Sequence, residues 1–426
     1  MIAALRLTPL VLAVVLLSSL SGAFAAEQRL IPLTGDVEAP IAVHPASGDQ
    51  LLLWLPSEHG LPDPVAEVAE GLAGQGIEVW EADLLEAHFL PVQASSLAEV
   101  PAADVVTLIE AARETGKQVY VAASDQGAVL ALEGTRAWQQ AHPDEALGGA
   151  VLISPNLYTS TPEPGETARY LPIARATNLP VYVLQPERSP WRWRLEQLYT
   201  RLSEGGASVF LHQLPGVRDR FHFRPDGDPA EARRSEQLPR LLARSLSLLD
   251  RVGGVRAVAP LPEPEGQTGV AETREKTLRP YEGDPAPPEL ALSTLGGKAL
   301  DLEDRQGEVV LINFWASWCP PCVHEMPSME RLEEHFTDED FRILAVNMGE
   351  DEDTIRTFLR EKVDVSFTIL LDEDGAALKR WRVFAFPTSY LLDRRGRIRY
   401  ALFGATEWDT PAVYEIVERL LAEEAS

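Results

Sequence analysis

The chain has 426 residues, more than one ordinary domain needs, so its length indicates two domains. Hydrophobic residues make up 45% of the chain and charged residues 24%, as in globular proteins with packed cores. Acidic residues outnumber basic residues by 65 to 38, which gives a net charge of −27. This charge repels phosphate groups and argues against nucleic acids and anionic membrane surfaces as partners.

Residues 1–25 have the pattern of a secretory signal peptide. Arg6 supplies a positive start, Thr8–Leu20 form an apolar core, and Ala23–Ala25 form a small-x-small cleavage site. The alternative is a membrane anchor, but the apolar run is short for a span. The pattern predicts a mature chain that begins near Ala26 and works in a bacterial periplasm.

A segment rich in Pro, Gly and Glu divides the mature chain. Residues 251–282 lack apolar periodicity, which is typical of an extended linker. We therefore predict a first domain at 26–250 and a second domain at 283–426.

The first domain alternates strand and helix patterns. Strands are predicted at 51–56, 77–82, 118–123, 149–154, 179–184 and 208–214, and helices at 64–75, 101–115, 127–142, 190–204 and 236–250. The strands are almost continuously apolar, so the pattern predicts an α/β domain with a parallel sheet covered on both faces.

The second domain has a different pattern. Strands are predicted at 308–316, 341–348 and 367–372, helices at 321–336, 353–362, 377–383 and 411–423, and a hairpin at 389–404. The first of these strands runs directly into the two cysteines of the chain.

Those cysteines, Cys319 and Cys322, lie in the stretch WASWCPPC. A structural disulfide is a poor explanation, because so small a loop constrains the unfolded chain little. A zinc site needs further ligands at suitable spacing, and the chain has no other cysteine. A dithiol redox pair fits best, because a thiolate at a helix N-terminus is stabilised by the helix dipole. No cofactor or metal is then expected beyond the Cys319–Cys322 disulfide.

Around this motif the sequence resembles the thioredoxin superfamily, and within it the exported TlpA/ResA-like thiol-disulfide reductases. The resemblance covers about 283–421 and includes an edge hairpin before the motif strand. Asn313 stands where cytoplasmic thioredoxins usually carry a buried acid, and Glu325 matches the family's acid on the motif helix. Phe386, Pro387 and Thr388 match the loop that carries a cis-proline facing the dithiol.

The resemblance implies a role for each of these residues. Cys319 and Cys322 are the catalytic pair, and Glu325 relays protons to and from the thiols. Trp318 provides an apolar wall of the substrate groove. The groove is completed by the loop residues Phe386, Pro387 and Thr388.

The dipeptide between the cysteines bears on the direction of electron flow. Pro320 and Pro321 offer a thiolate no charged or histidine partner, which favours a reductant over an oxidant. The family resemblance implies disulfide-containing exported proteins as substrates, including cytochrome c maturation proteins, and a transmembrane thiol transporter as electron donor. A peroxidase is disfavoured, because Ala316 stands where peroxiredoxins place a threonine.

In the first domain, a predicted strand runs into ASDQG (123–127) and then into a helix. Over about 51–249 the sequence resembles the α/β-hydrolase fold, in which such a turn carries the nucleophile. Asp125 stands at the nucleophile position, with Glu187 and His222 where the family places its acid and base. His59 and Gly60 resemble an oxyanion-hole segment.

Two interpretations of the first domain stay open. Asp125 is a carboxylate nucleophile with His222 as the base that activates water, or the scaffold is non-catalytic and serves as a docking module. For the whole protein the alternatives to a reductase are a hydrolase with an accessory redox domain and a binding protein that delivers the dithiol to one client. The other histidines of the first domain are expected to be structural rather than catalytic, namely His44, His88, His142 and His212.

Overall fold

The computed structural model describes residues 26–35, 37–160, 162, 164–264 and 277–424. The predicted signal peptide at 1–25 lies outside the described residues. Two eight-stranded sheets organise the described part of the chain, one in each predicted domain. None of the helices within these ranges combines the length and the apolar character that a membrane crossing requires.

The first sheet contains strands β1 to β8. These are β1 (Glu27–Pro32), β2 (Glu38–His44), β3 (Gln50–Trp54), β4 (Ile77–Ala82), β5 (Gln118–Ser124), β6 (Gly149–Ile153), β7 (Val181–Arg188) and β8 (Val209–Arg218). The helices around it are α1 (Pro64–Ala73), α2 (Leu84–Ala87), α3 (Ala94–Leu97), α4 (Ala102–Arg113), α5 (Gly127–Ala141), α6 (Pro172–Ala176), α7 (Leu195–Glu204) and α8 (Pro229–Leu249). Short 3₁₀ helices cover Pro190–Arg194 and Asp250–Val252.

The strand order of this sheet is β1-β2-β4-β3-β5-β6-β7-β8. All six predicted strands are present, and β4-β3-β5-β6-β7-β8 pair in parallel as expected. The prediction of a parallel sheet holds for these six strands but not for the whole sheet, because β2 pairs with β4 and with β1 in the antiparallel direction. The sequence concealed these strands, since β1 is mostly exposed and Pro40 interrupts β2.

The second sheet contains strands β9 to β16. These are β9 (Arg279–Pro280), β10 (Ala291–Thr294), β11 (Ala299–Asp301), β12 (Val309–Trp315), β13 (Phe341–Met348), β14 (Thr368–Asp372), β15 (Thr388–Leu392) and β16 (Ile398–Phe403). Its helices are α9 (Pro320–His335), α10 (Glu352–Lys362), α11 (Ala376–Arg380) and α12 (Pro411–Leu421), with a 3₁₀ helix at Leu302–Arg305.

The order of this sheet is β11-β10-β14-β13-β12-β15-β16-β9. The central strand β12 pairs in parallel with β13 and antiparallel with β15, and every residue of β12 is buried. The edge hairpin implied by the resemblance is present as β10 and β11. Because β12 is fully buried and held by neighbouring strands on both sides, the cysteine motif that follows it has a fixed position.

The predicted linker is partly attached to both domains. Arg256 donates hydrogen bonds to the carbonyl oxygens of Asn178 and Gly206, so the start of the linker follows the surface of the first domain. Near its end, β9 pairs with β16 of the second sheet. Residues 265–276 lie outside the described residues.

Candidate functional site

The two cysteines lie at the junction of β12 and α9. Cys319 is the N-cap residue of α9, and Cys322 lies in its first turn. The two are joined by a disulfide with their Cα atoms 5.3 Å apart. Cys319 is 5% exposed and Cys322 is 1% exposed, so the sulfur of Cys319 is the more accessible to a partner.

The two prolines weaken the stabilisation that the helix N-terminus gives to a negative charge on Cys319. Sγ of Cys319 accepts a hydrogen bond from the backbone N–H of Cys322 at 3.3 Å. Pro320 and Pro321 occupy the first two helical positions and have no N–H to donate. A thiolate on Cys319 therefore receives fewer backbone hydrogen bonds than a helix N-terminus without prolines would provide.

Glu325 lies one turn beyond Cys322 and is 1% exposed. Its Oε1 accepts a hydrogen bond from Nδ2 of Asn313 at 2.8 Å. Its Oε2 accepts from Nε1 of Trp408 at 3.1 Å and from the backbone N–H of Thr406 at 3.3 Å. The carboxyl group is thus buried and held in place by donors from β12 and from the segment before α12.

Burial raises the pKa of Glu325 to about 7, although the hydrogen bonds from Trp408 and Asn313 oppose the shift. The nearby negative charge of Glu407 raises this pKa slightly more. A carboxyl group with a pKa near neutrality can both accept and release a proton at physiological pH. Its position on the motif helix makes it suitable for proton transfer with the dithiol.

The loop before β15 lies on the other side of the motif. The Phe386–Pro387 peptide bond is cis, as the resemblance implies. The ring centroids of Phe386 and Trp318 are 5.6 Å apart, so the two predicted groove side chains contact each other. Thr388 is buried, and its hydroxyl donates to the carbonyl oxygen of Ala385 at 2.8 Å, which closes the turn before β15.

Sequence reasoning missed an acidic side chain that holds the motif loop. Glu350, just after β13, accepts hydrogen bonds from the backbone N–H of Ser317 at 2.8 Å and from its hydroxyl at 2.5 Å. The same carboxylate accepts from Nδ2 of Asn347 at 2.9 Å. Ser317 precedes Cys319 by two residues, so Glu350 holds in place the backbone just before the dithiol. In the sequence Glu350 is one acid in an acidic run, which gave no signal of this role.

A dithiol at a helix N-terminus, a buried acid one turn later and a cis-proline loop beside them define a thioredoxin-like thiol-disulfide exchange domain. The Redoxin family model matches residues 281–417. Thioredoxin-like protein YneN of Bacillus subtilis is 40% identical over 128 residues, which cover 29% of this chain and 73% of that protein. Thiol-disulfide oxidoreductase ResA of Bacillus subtilis is 35% identical over 28% of this chain and 64% of its own length.

Among solved structures, a candidate thiol:disulfide interchange protein DsbE from Chlorobium tepidum is 31% identical. The match covers 34% of this chain and 100% of that chain, with a TM-score of 0.31. Through its second domain, the protein belongs to the Redoxin family of thioredoxin-like proteins. That domain is a thiol-disulfide oxidoreductase.

In the first domain, β5 runs through a tight turn into α5, and Asp125 lies on that turn with a φ of 50°. Gly127 begins α5 with no room for a side chain, because a Cβ atom there would lie 2.3 Å from the carbonyl oxygen of Pro56. The turn therefore has the strained backbone and the small residue that a nucleophile elbow requires.

The groups that would stabilise an oxyanion are occupied. In a working elbow, the backbone N–H after the nucleophile faces the substrate. Here the N–H of Gln126 donates to Oε2 of Glu58 at 2.9 Å. The N–H of Gly60, in the predicted oxyanion-hole segment, donates to the carbonyl oxygen of Ser57 at 2.9 Å. Neither donor is free for a reacting carbonyl group.

The predicted triad residues are also not connected by hydrogen bonds within the described chain. His222 is 4% exposed, both of its ring nitrogens lack a partner, and burial lowers its pKa to about 3. Glu187 accepts a hydrogen bond from the N–H of Gly216 at 2.8 Å and lies 3.7 Å from Arg192. A catalytic histidine needs an acid partner that orients its ring and stabilises its protonated form. Glu187 cannot act as that partner for His222 here, because it is bound to other groups.

Asp125 instead belongs to a cluster of charged groups beyond the carboxyl ends of β3 and β5. Asp125, Glu58 and His59 each place a potential ligand atom within 4.8 Å of the others. Oδ2 of Asp125 is buried without a hydrogen bond to a described residue. Burial and then the charge of Glu58 raise the pKa of Asp125 well above its ordinary value, and burial also raises the pKa of Glu58.

The four other histidines of the first domain make structural contacts, as expected. His44 pairs with Glu81 and His88 with Asp104, at 2.6 Å and 2.7 Å. His142 stacks on Trp138, and His212 lies 3.1 Å from the hydroxyl of Tyr182.

The raised pKa of Asp125 predicts that Asp125→Asn stabilises the protein. In the folded state the ionised carboxylate is disfavoured, so its contribution to stability falls as the pH rises above the ordinary value of 3.8. At pH 8 we expect the substitution to raise the free energy of unfolding by about 1 kcal/mol, with little gain at pH 4. Urea denaturation at both pH values measures this, with the exposed Asp144→Asn as the control. A loss of stability at pH 8 would contradict the prediction.

Proposed function

We propose that the protein is an exported reductase of protein disulfides, in which Cys319 attacks the substrate and Cys322 resolves the mixed disulfide. The observation that carries this proposal is the dithiol at the start of α9 with the buried Glu325 one turn behind it. The 40% identity to a thioredoxin-like protein over the second domain supports it.

The prolines support reduction as the direction. An oxidant needs a strongly stabilised thiolate in its reduced form. Pro320 and Pro321 supply no N–H to Cys319, and among the described residues its sulfur accepts from the N–H of Cys322 at 3.3 Å. Weaker stabilisation of the thiolate leaves the oxidised form relatively more stable, so the reduced pair gives up its electrons readily.

The proposed reaction proceeds in two exchange steps. The Cys319 thiolate attacks one sulfur of the substrate disulfide, and the other substrate sulfur leaves as a thiolate and takes a proton. The Cys322 thiol then gives its proton to the Glu325 carboxylate and attacks the Cys319 sulfur, which breaks the mixed disulfide and releases the second substrate sulfur as a thiolate that takes a proton. The products are the Cys319–Cys322 disulfide and the substrate dithiol, so two electrons have passed from the protein to the substrate.

The proposed location follows from the signal-like pattern at residues 1–25 and from the relatives, which are thiol-disulfide oxidoreductases. Outside the cytoplasm a reductase needs a source of electrons. We therefore propose a membrane thiol transporter as the donor that returns the disulfide to the dithiol. Disulfide-bonded exported proteins are the proposed substrates.

For the first domain we propose a non-catalytic role as a docking module on an α/β-hydrolase-like scaffold. The occupied N–H groups of Gln126 and Gly60 and the unpaired ring of His222 favour this over hydrolysis. Assays of the full chain with ester, epoxide and haloalkane panels test it, and we expect no turnover. Turnover that Asp125→Asn abolishes would establish the alternative, a hydrolase with an accessory redox domain.

Equilibration of the purified chain with glutathione redox buffers tests the direction. We expect the Cys319–Cys322 pair to be more reducing than the thiol pool of the compartment. A potential near about −120 mV, typical of a strong periplasmic oxidant, would overturn the assignment as a reductase. Thiol alkylation followed by mass spectrometry reads out the reduced fraction directly.

A further inference from the structure

A short turn of the first domain lies against the second domain. This docking turn is the 3₁₀ helix Pro190–Arg194, with Ser189 as its N-cap. It follows β7 and precedes α7, so its base is fixed in the first domain. Its aromatic and basic side chains, PWRWR, are unusual in a chain of net charge −27, and neither domain's predicted chemistry uses them.

Trp193 is the centre of the contact. It packs against the hydrophobic core of the second domain on the side of the sheet that carries Trp381. Its ring contacts two glycines of that domain: a Cβ atom at Gly375 would lie 2.6 Å from the ring and one at Gly349 would lie 2.9 Å from it. Nζ of Lys379 lies 5.7 Å from the ring centroid. The two glycines thus form a cleft that this indole fills.

Arg194 makes the second contact. Its guanidinium carbon lies 4.3 Å above the ring of Phe384. Its Nε and Nη2 are buried and have no hydrogen-bond partner among the described residues, and burial lowers the pKa of this side chain. A buried guanidinium with unpaired donors is held there by its stacking on the aromatic ring. Phe384 is covered in turn and is 5% exposed.

Two of the contacted segments, those of Gly349 and Phe384, neighbour the dithiol site. Gly349 is followed directly by Glu350, which holds the N–H and hydroxyl of Ser317 next to the cysteine motif. Phe384 lies three residues before the cis-proline Pro387. The first domain therefore contacts two segments that neighbour the dithiol site.

We propose that the docking turn is a positioning element for the thiol site, and that Trp193 and Arg194 set the shape of the groove that accepts a protein disulfide. The proposal rests on disulfide exchange at Cys319. A peptide or protein substrate needs the groove beside Phe386 and Pro387, whereas a small disulfide needs only the exposed edge of Cys319. Loss of docking affects the first reaction and spares the second.

The test compares Trp193→Ala with Trp191→Ala in the full chain. Trp191 lies in the same turn but stacks on Tyr158 of its own domain, at 4.8 Å and 25°, so it is a matched control. The substrates are a disulfide-bonded peptide and oxidised glutathione, each assayed with the reduced protein. For Trp193→Ala we expect kcat/KM for the peptide to fall about tenfold and the rate with oxidised glutathione to stay within about twofold. Trp193→Phe should restore most of the loss.

Other outcomes decide against the proposal. Equal losses with both substrates would indicate general destabilisation, and equal behaviour of the two alanine variants would show that docking does not reach the groove. If the wild type exchanges with neither substrate, the proposed function itself fails. Arg194→Leu is a second variant that leaves no buried donor unpaired, and it should show the same selective loss of peptide reduction even if Trp193→Ala folds poorly.

Discussion

Cys322→Ser should convert the protein into a trap that stays covalently bound to its substrates. Once Cys319 has attacked a substrate disulfide, the hydroxyl at position 322 cannot displace the sulfur, so the mixed disulfide persists. Turnover should fall by about a thousandfold or more. Non-reducing gels of cells that produce the variant, followed by mass spectrometry of the captured bands, measure the result and name the clients.

Cys319→Ser is the matched control, because it removes the more accessible sulfur and leaves the 1% exposed Cys322. We expect it to lose turnover equally and to trap nothing. Efficient trapping by Cys319→Ser would contradict the assignment of Cys319 as the attacking thiol. The double serine variant should show neither adducts nor turnover.

The dithiol was predictable because its chemistry depends on neighbours in the sequence. A strand, two cysteines three apart and a helix fix one geometry, and the two prolines occupy the first helical positions, where their missing N–H is tolerated. Glu325 was identified through the family resemblance, and its position three residues after Cys322 places the two side chains on one face of the helix. The strands that were predicted from apolar runs were located within a few residues, whereas β1, β2 and β9 were not predicted.

The environment of Glu325 was not predictable. Trp408 and Thr406 reach the carboxylate from more than 80 residues away along the chain, and no local pattern marks them. Ser389 contacts the other side of the network, because Nδ2 of Asn313 donates to its hydroxyl at 2.9 Å. Such partners are set by the packing of β12 against β15 and of the segment before α12 against α9.

For the elbow of the first domain, the sequence predicted the backbone turn but not the state of its hydrogen-bond donors. The local pattern around Asp125 predicted the turn, and the backbone φ of 50° is present. The pattern could not show that Glu58 occupies the N–H of Gln126, since the two lie 68 residues apart in the sequence. A motif therefore predicted the backbone here but not whether its donors are free.

Glu325→Gln should slow disulfide exchange and remove its dependence on a group that titrates near pH 7. The amide has nearly the same shape and keeps an oxygen that can accept the hydrogen bond from Asn313, but it cannot take the proton of Cys322. Loss of a general base lowers the rate by about a hundredfold. Rates measured between pH 5 and pH 9 should show an inflection near 7 in the wild type and none in the variant.

The same substitution should change how stability depends on pH. The pKa of Glu325 is about 7 in the folded protein and 4.5 in a free side chain, so between these values the folded state binds more protons than the unfolded state. This carboxyl group therefore makes the free energy of unfolding decrease as the pH rises through that window. Urea denaturation at pH 5 and pH 8 should show a smaller decrease of the free energy of unfolding in Glu325→Gln than in the wild type.

Glu407→Gln is the matched control, because it removes an exposed neighbouring charge. It should leave most of the decrease in the free energy of unfolding, and most of the exchange rate, unchanged. If Glu407→Gln matched Glu325→Gln in both measurements, proton transfer by the buried carboxyl group would be ruled out.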